Sequence, residues 1–95
     1  MHIISRKKLL DFAEDHPDSS DPLDRWYRIV KSNDFEHFVD LRDTFPSADL
    51  VGRHTVFNIG GNKYRLIASI HYNRSKLYIR HILTHSEYDK GDWKT

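Results

Sequence analysis

The chain changes period near residue 54, and that change restricts its fold more than any other feature of the sequence. Thr55-Val56-Phe57-Asn58-Ile59 has the two-residue period of a strand, and Gly60-Gly61-Asn62 has the composition of a tight turn. Tyr64 to Tyr72 reads as a long strand, with Leu66, Ala68 and Ile70 on one side and Arg65, Ser69 and His71 on the other. Asn73-Arg74-Ser75-Lys76 reverses the chain, and Leu77 to Thr84 forms the last strand. Three adjacent antiparallel strands cannot stand alone in water; one face must be covered.

The first half supplies the cover. His2-Ile3-Ile4 is short and apolar enough for a first strand. Ser5 is placed to cap a helix whose face carries Leu9, Phe12 and Ala13 and which ends at His16-Pro17. Asp21-Pro22 offers a carboxylate cap and a proline at the first helical position, followed by Leu23, Trp26, Tyr27 and Val30 on one face. The spacing of these aromatics is that of a buried stripe. A weaker helical signal runs through Phe35, Phe38 and Leu41 and stops at Phe45-Pro46. The expected architecture is α+β: an N-terminal strand and helices packed on one face of a small antiparallel sheet, in one domain spanning residues 1–95.

Composition narrows the class. Leu, Ile, Val and Phe make up about a quarter of the 95 residues, enough for one small core. The chain has no cysteine, so it has neither a disulfide framework nor a thiolate zinc site. No apolar run is long enough to span a bilayer, and the N-terminus lacks a secretion signal, so the expectation is a soluble cytoplasmic protein. Residues 1–50 hold 7 Lys/Arg and 11 Asp/Glu; residues 51–95 hold 8 and 3. No acid occurs between Gly52 and His85. That stretch carries Arg53, Lys63, Arg65, Arg74, Lys76, Arg80 and four histidines. A surface of one sign attracts polyanions, although the same charge could pair with the acidic half of the molecule.

Strand alternation places His54, Asn58, Arg65 and Arg80 on the face away from the helices, with Leu77, Ile79 and Leu83 of the last strand beneath them. Two arginines on an acid-free face suit phosphate, because a guanidinium fork offers paired donors. The last strand runs into I-L-T-H-S-E-Y-D-K, residues 82–90. If Thr84 ends the strand, His85 and Tyr88 lie at the rim of that face, where an imidazole can serve as general acid or base. His81-Ile-Leu-Thr-His85 lacks the glutamate and the helix of a zinc-protease motif, and no helix follows Gly60-Gly61-Asn62 to make a phosphate loop. No metal site is expected.

F-P-S-A-D at 45–49, V-F-N-I-G-G-N-K-Y-R-L-I at 56–67, Y-I-R at 78–80 and T-H-S-E-Y-D-K at 84–90 resemble the HigB family of type II toxins, part of the wider RelE-like mRNA interferase group. The resemblance implies a RelE-like fold. It also implies cleavage of translated mRNA on the ribosome, no cofactor or metal, and neutralisation by a HigA-type helix-turn-helix antitoxin. Carried onto this chain, it assigns catalysis to Arg65, His85 and Tyr88, and RNA binding to Arg80, Lys63, His54, Asn58 and Lys90. RelE has a pair of lysines where this chain has Val56 and Asn58, so His54 competes with His85 for the role of base. A non-catalytic RNA- or protein-binding module and a gyrase-targeting relative are the alternatives.

Overall fold

The computed structural model describes residues 1–94. Its elements are β1 (His2–Ile4), α1 (Arg6–Asp15), α2 (Ser20–Lys31), α3 (Phe38–Thr44), β2 (Asp49–Val51), β3 (His54–Ile59), β4 (Tyr64–His71), β5 (Lys76–Thr84) and α4 (His85–Lys90). They form one five-stranded sheet in the order β1-β5-β4-β3-β2. The two hairpins β3–β4 and β4–β5 are antiparallel, as the turn signals predict, and β2 extends the sheet antiparallel to β3. β1 adds at the opposite edge, parallel to β5, with His2, Ile3 and Ile4 opposite Lys76, Leu77 and Tyr78.

The helices cover one face. Leu9, Leu23, Trp26, Val30 and Leu41 pack on Phe57, Ile59, Leu66, Ala68, Leu77 and Ile79 in the main core. Burying these side chains, at about 1.5–3 kcal/mol each, drives the helices onto the sheet. Trp26 meets Phe57 edge-on, with centroids 5.3 Å apart. The chain does not leave the helical path between α1 and α2 as sharply as His16-Pro17 suggests. Pro17–Ser19 form a 3-10 turn that leads directly into α2 at Ser20, so Pro22 lies inside the first turn and Asp21 is not the cap. Ser5 has the extended backbone of a cap residue but makes no side-chain capping bond. The third helix begins at Phe38, leaving Phe35 buried just ahead of it.

One irregularity re-sorts β5. Ile67 pairs with His81 while Ala68 pairs with Ile79, so Arg80 is an extra residue with no partner on β4. A bulge of this kind inverts the alternation beyond it. Leu83, expected beneath the helices, instead pairs with Arg65 and packs on Val56 and Ile67 on the other face, and Ile82 takes the helix side opposite Leu66.

Candidate active site

The face away from the helices is not open. Thr84 and Glu87 form a capping box: the Thr84 hydroxyl accepts from the Glu87 N–H (3.2 Å), and the Glu87 carboxylate accepts from the Thr84 N–H (2.9 Å). The Thr84 N–H bond holds the Glu87 carboxyl below the usual carboxylate range. The cap starts α4 where β5 ends, and the His85 N–H, bonded to the Lys63 carbonyl (3.0 Å), ties it to the entry of β4. Gly91 then turns the chain with φ 76°, a conformation that glycine adopts without strain. The turn brings Trp93 back onto the sheet. Its ring is buried on Val56 and Ile67, stacks on Tyr88 (5.2 Å, 16°), and donates Nε1–H to the Tyr88 carbonyl (3.0 Å).

Arg65 lies under this arm. The residue is 8% exposed, with its guanidinium 5.6 Å from the centroid of the Tyr88 ring. Nη1 donates to the carbonyls of Asn62 (3.2 Å) and Tyr64 (3.1 Å), and Nη2 to the Asn62 side-chain oxygen (3.2 Å). A guanidinium has five N–H donors. Those left over are the Nε–H and one Nη2–H, adjacent groups of the kind that grip two oxygens of one phosphate. His85 stands one helical turn before Tyr88, half exposed, with Nδ1 3.1 Å from the Asp89 carboxylate. That contact orients the imidazole and leaves Nε2 for a ligand. Asn58, exposed on β3, pairs with Arg65 in register. The structure brings Tyr88 over Arg65; His85 lies three residues earlier on α4, and Asn58 is opposite Arg65 in the sheet register while also bordering a depression with Pro22 and Trp26.

The other expected residues lie elsewhere. The Arg80 Nε–H donates to the Ser69 hydroxyl (3.1 Å), and its guanidinium lies over the Tyr78 ring (5.3 Å). Ser69 is four residues along β4 from Arg65, roughly 13 Å. Arg65 is held back toward Asn62, and Trp93 sits between, so the two arginines diverge instead of sharing a linkage. His54 presents its ring to the edge of Trp93 (6.2 Å, 76°) and borders Arg80 in a groove with Arg53, Ser69, Ile70 and His71. Lys63 turns toward the helical layer and pairs with Asp18 (3.0 Å). Lys90 is exposed at the end of α4, over a depression lined by His81, Leu83 and Trp93.

Arg53, His71 and His81 of this face figure in the sequence only within the basic run and the strand pattern, with no role assigned, and Trp93 is not foreseen there at all. Loss of solvent holds the His81 imidazole below the usual histidine range, and Lys8, His54 and Arg80 add to the effect. Elsewhere, Glu36, His37 and Asp40, on and just before α3, bring three ligand atoms within 4.8 Å of one another; Glu36 and His37 are exposed and Asp40 is partly buried.

Helices packed on one face of a small mixed sheet give the α+β architecture of a RelE-like fold. The HigB toxin family, described as the RelE-like toxic component of a toxin-antitoxin system, matches residues 19–91, and the chain belongs to that family. Over 92 residues it is 37% identical to the mRNA interferase toxin HigB of Escherichia coli (strain K12), covering 94% of this chain and 88% of that protein. The mRNA interferase HigB of Shigella flexneri matches to the same extent. That of Escherichia coli O6:H1 is 34% identical over 93 residues, covering 95% of this chain and 90% of the relative.

Proposed function

We propose that this protein is an mRNA interferase, the toxin of a type II toxin-antitoxin pair. It cleaves mRNA on the ribosome and is silenced by a HigA-type helix-turn-helix antitoxin. The observation that carries the reading is Arg65: a buried guanidinium pinned by Asn62, with an adjacent N–H pair unspent beside Tyr88 and His85. In the reaction the substrate's own 2′-hydroxyl attacks the neighbouring phosphorus. The 2′-proton passes to a base, the P–O5′ bond breaks, and the 5′-oxygen takes a proton from an acid, leaving a 2′,3′-cyclic phosphate and a 5′-hydroxyl. Arg65 stabilises the charge that builds on the phosphorane oxygens. The His85 imidazole exchanges a proton through Nε2, and the Tyr88 phenol is the second proton-transfer group. His54 lies across Trp93 from this cluster, which favours His85 over it as the base. No step calls for a metal.

The test is cleavage of a reporter mRNA on purified translating ribosomes, mapped by primer extension with and without EDTA. Wild-type protein should generate new 5′ ends in both conditions. Arg65→Lys, which keeps the charge but loses the fork, should slow cleavage about 10²–10³-fold. His85→Gln should slow it about 10²–10⁴-fold. Growth arrest without new 5′ ends would refute the reading and leave the non-catalytic or gyrase-directed alternatives.

A further inference from the structure

We propose that the groove at the β2–β3 end of this face is a second phosphate site, which holds a backbone phosphate of the substrate strand other than the one cleaved. The identity of the strand rests on the mRNA-interferase reading; the anion site itself does not.

The groove encloses about 500 Å³ and is lined by Arg53, His54, Ser69, Ile70, His71 and Arg80. Two guanidinium groups and two imidazoles meet there, no carboxylate lines it, and no ion pair among the described residues engages either arginine. Elsewhere on the molecule, cations such as Lys7, Arg28 and Lys63 are matched with acids. Arg80 also borders the adjoining depression lined by Lys8, Asp11 and Asp15, but pairs with neither acid, so the two arginines leave a positive potential that a phosphate relieves by displacing counterions.

Local structure builds the site. The bulge gives Arg80 a position without a cross-strand partner, so its side chain stands out from the sheet, and the Ser69 hydroxyl fixes the Nε end. The outer guanidinium N–H groups stay free for a ligand. Arg53 enters from the tight turn between β2 and β3, where Gly52 takes φ 62°. His71, exposed, packs edge-on against Tyr78 (5.4 Å, 85°), which also carries Arg80.

Position decides which phosphate the groove takes. Ser69 and Arg65 are roughly 13 Å apart along β4, several times the rise of about 3.4 Å per stacked nucleotide. Trp93 fills the sheet between them over Val56 and Ile67. The scissile phosphate at Arg65 and the phosphate in the groove therefore belong to different nucleotides, and neighbouring ones in a stacked strand do not reach both sites.

The length of a non-cleavable ligand tests this without any cleavage. Oligonucleotides of two and of six all-2′-deoxy residues are titrated into the full chain. Binding is followed through the ring resonances of His54, His71 and Tyr88, with inorganic phosphate as a third probe. The hexamer should bind at least tenfold more tightly than the dimer and move His71 as well as Tyr88. Arg53→Gln/Arg80→Gln should abolish that advantage and leave the dimer's affinity within about twofold. His71→Gln, at an exposed position, should weaken the hexamer severalfold. Inorganic phosphate should move His71 in the wild type and not in the double variant. A hexamer no tighter than the dimer, equal weakening of both by the double variant, or binding of neither overturns the proposal. Hexamer binding through the groove by a protein that makes no new 5′ ends on ribosomes would sustain the site and refute the catalytic reading.

Discussion

Replacing Trp93 by alanine measures how firmly the segment after α4 closes over the candidate site. Trp93 is 6% exposed and packs on Val56 and Ile67 in a cluster separate from the main core. A tryptophan buries about 200 Å². At about 25 cal/mol per Å² this gives some 5 kcal/mol against an extended chain, and about 3–4 kcal/mol once the compactness of the unfolded chain is allowed for. The indole hydrogen bond adds little, because the Tyr88 carbonyl also accepts from the Gly91 N–H (3.1 Å) and is not orphaned by the change. The loss is capped by the docking energy of the arm, since a detached arm costs nothing more. We expect Trp93→Ala to lose about 3 kcal/mol, equivalent to a Tm lower by roughly 10–20 °C for a domain of this size. Trp93→Phe, which keeps the stacking, should recover more than half of that. Circular dichroism melts and urea titrations provide the measurement. A Tm within about 3 °C of wild type for the alanine variant would show that the arm does not hold the face closed, and the placement of Tyr88 over Arg65 would fall with it.

Other outcomes follow from the same geometry. Hydrogen bonds from Tyr64 (2.5 Å) and then Lys63 hold the Asp18 carboxyl below its usual range, so Asp18 stabilises the fold above the unfolded-state pKa of about 3.9. That contribution disappears as pH falls through the lower folded-state value. Asp18→Asn should therefore be less stable than wild type at pH 7, and urea midpoints should converge below pH 3; a gap unchanged by acid would refute the linkage. Thr84→Ala removes the cap of α4 and should cost about 1 kcal/mol. Amide exchange in residues 85–90 should rise while the β3–β4 hairpin stays protected, and uniform loss of protection would argue against a local role.

The layers were legible in the sequence because they rest on period and turn chemistry. The two hairpins stand where alternation and Gly60-Gly61-Asn62 place them, and the aromatic stripe of α2 lies in the core. Arg65 was placed on the correct face for the same reason. Arg80 carried no sign of its bulge, since a bulge is a matter of pairing and no local residue preference announces it; one extra residue was enough to send Leu83 to the wrong face. The return of Trp93 depends on a contact with strands some thirty residues earlier, and a short polar tail around one tryptophan has no period to read. The pair between Lys63 and Asp18 joins the two halves of the chain, and no local pattern announces a contact of that separation.

The parallel pairing of β1 with β5 sets the order in which this molecule can be completed. Residues 2–4 find their partners at 76–78, so the edge of the sheet closes between two of the most distant strands of the chain. Contacts of such long sequence separation are slow to form, because the intervening loop must be ordered first. Residues 2–4 stay unpaired until the helices and strands between them and β5 are ordered. The sheet edge at β1 is therefore expected to form after the β3–β4 and β4–β5 hairpins, whose partners are close in sequence.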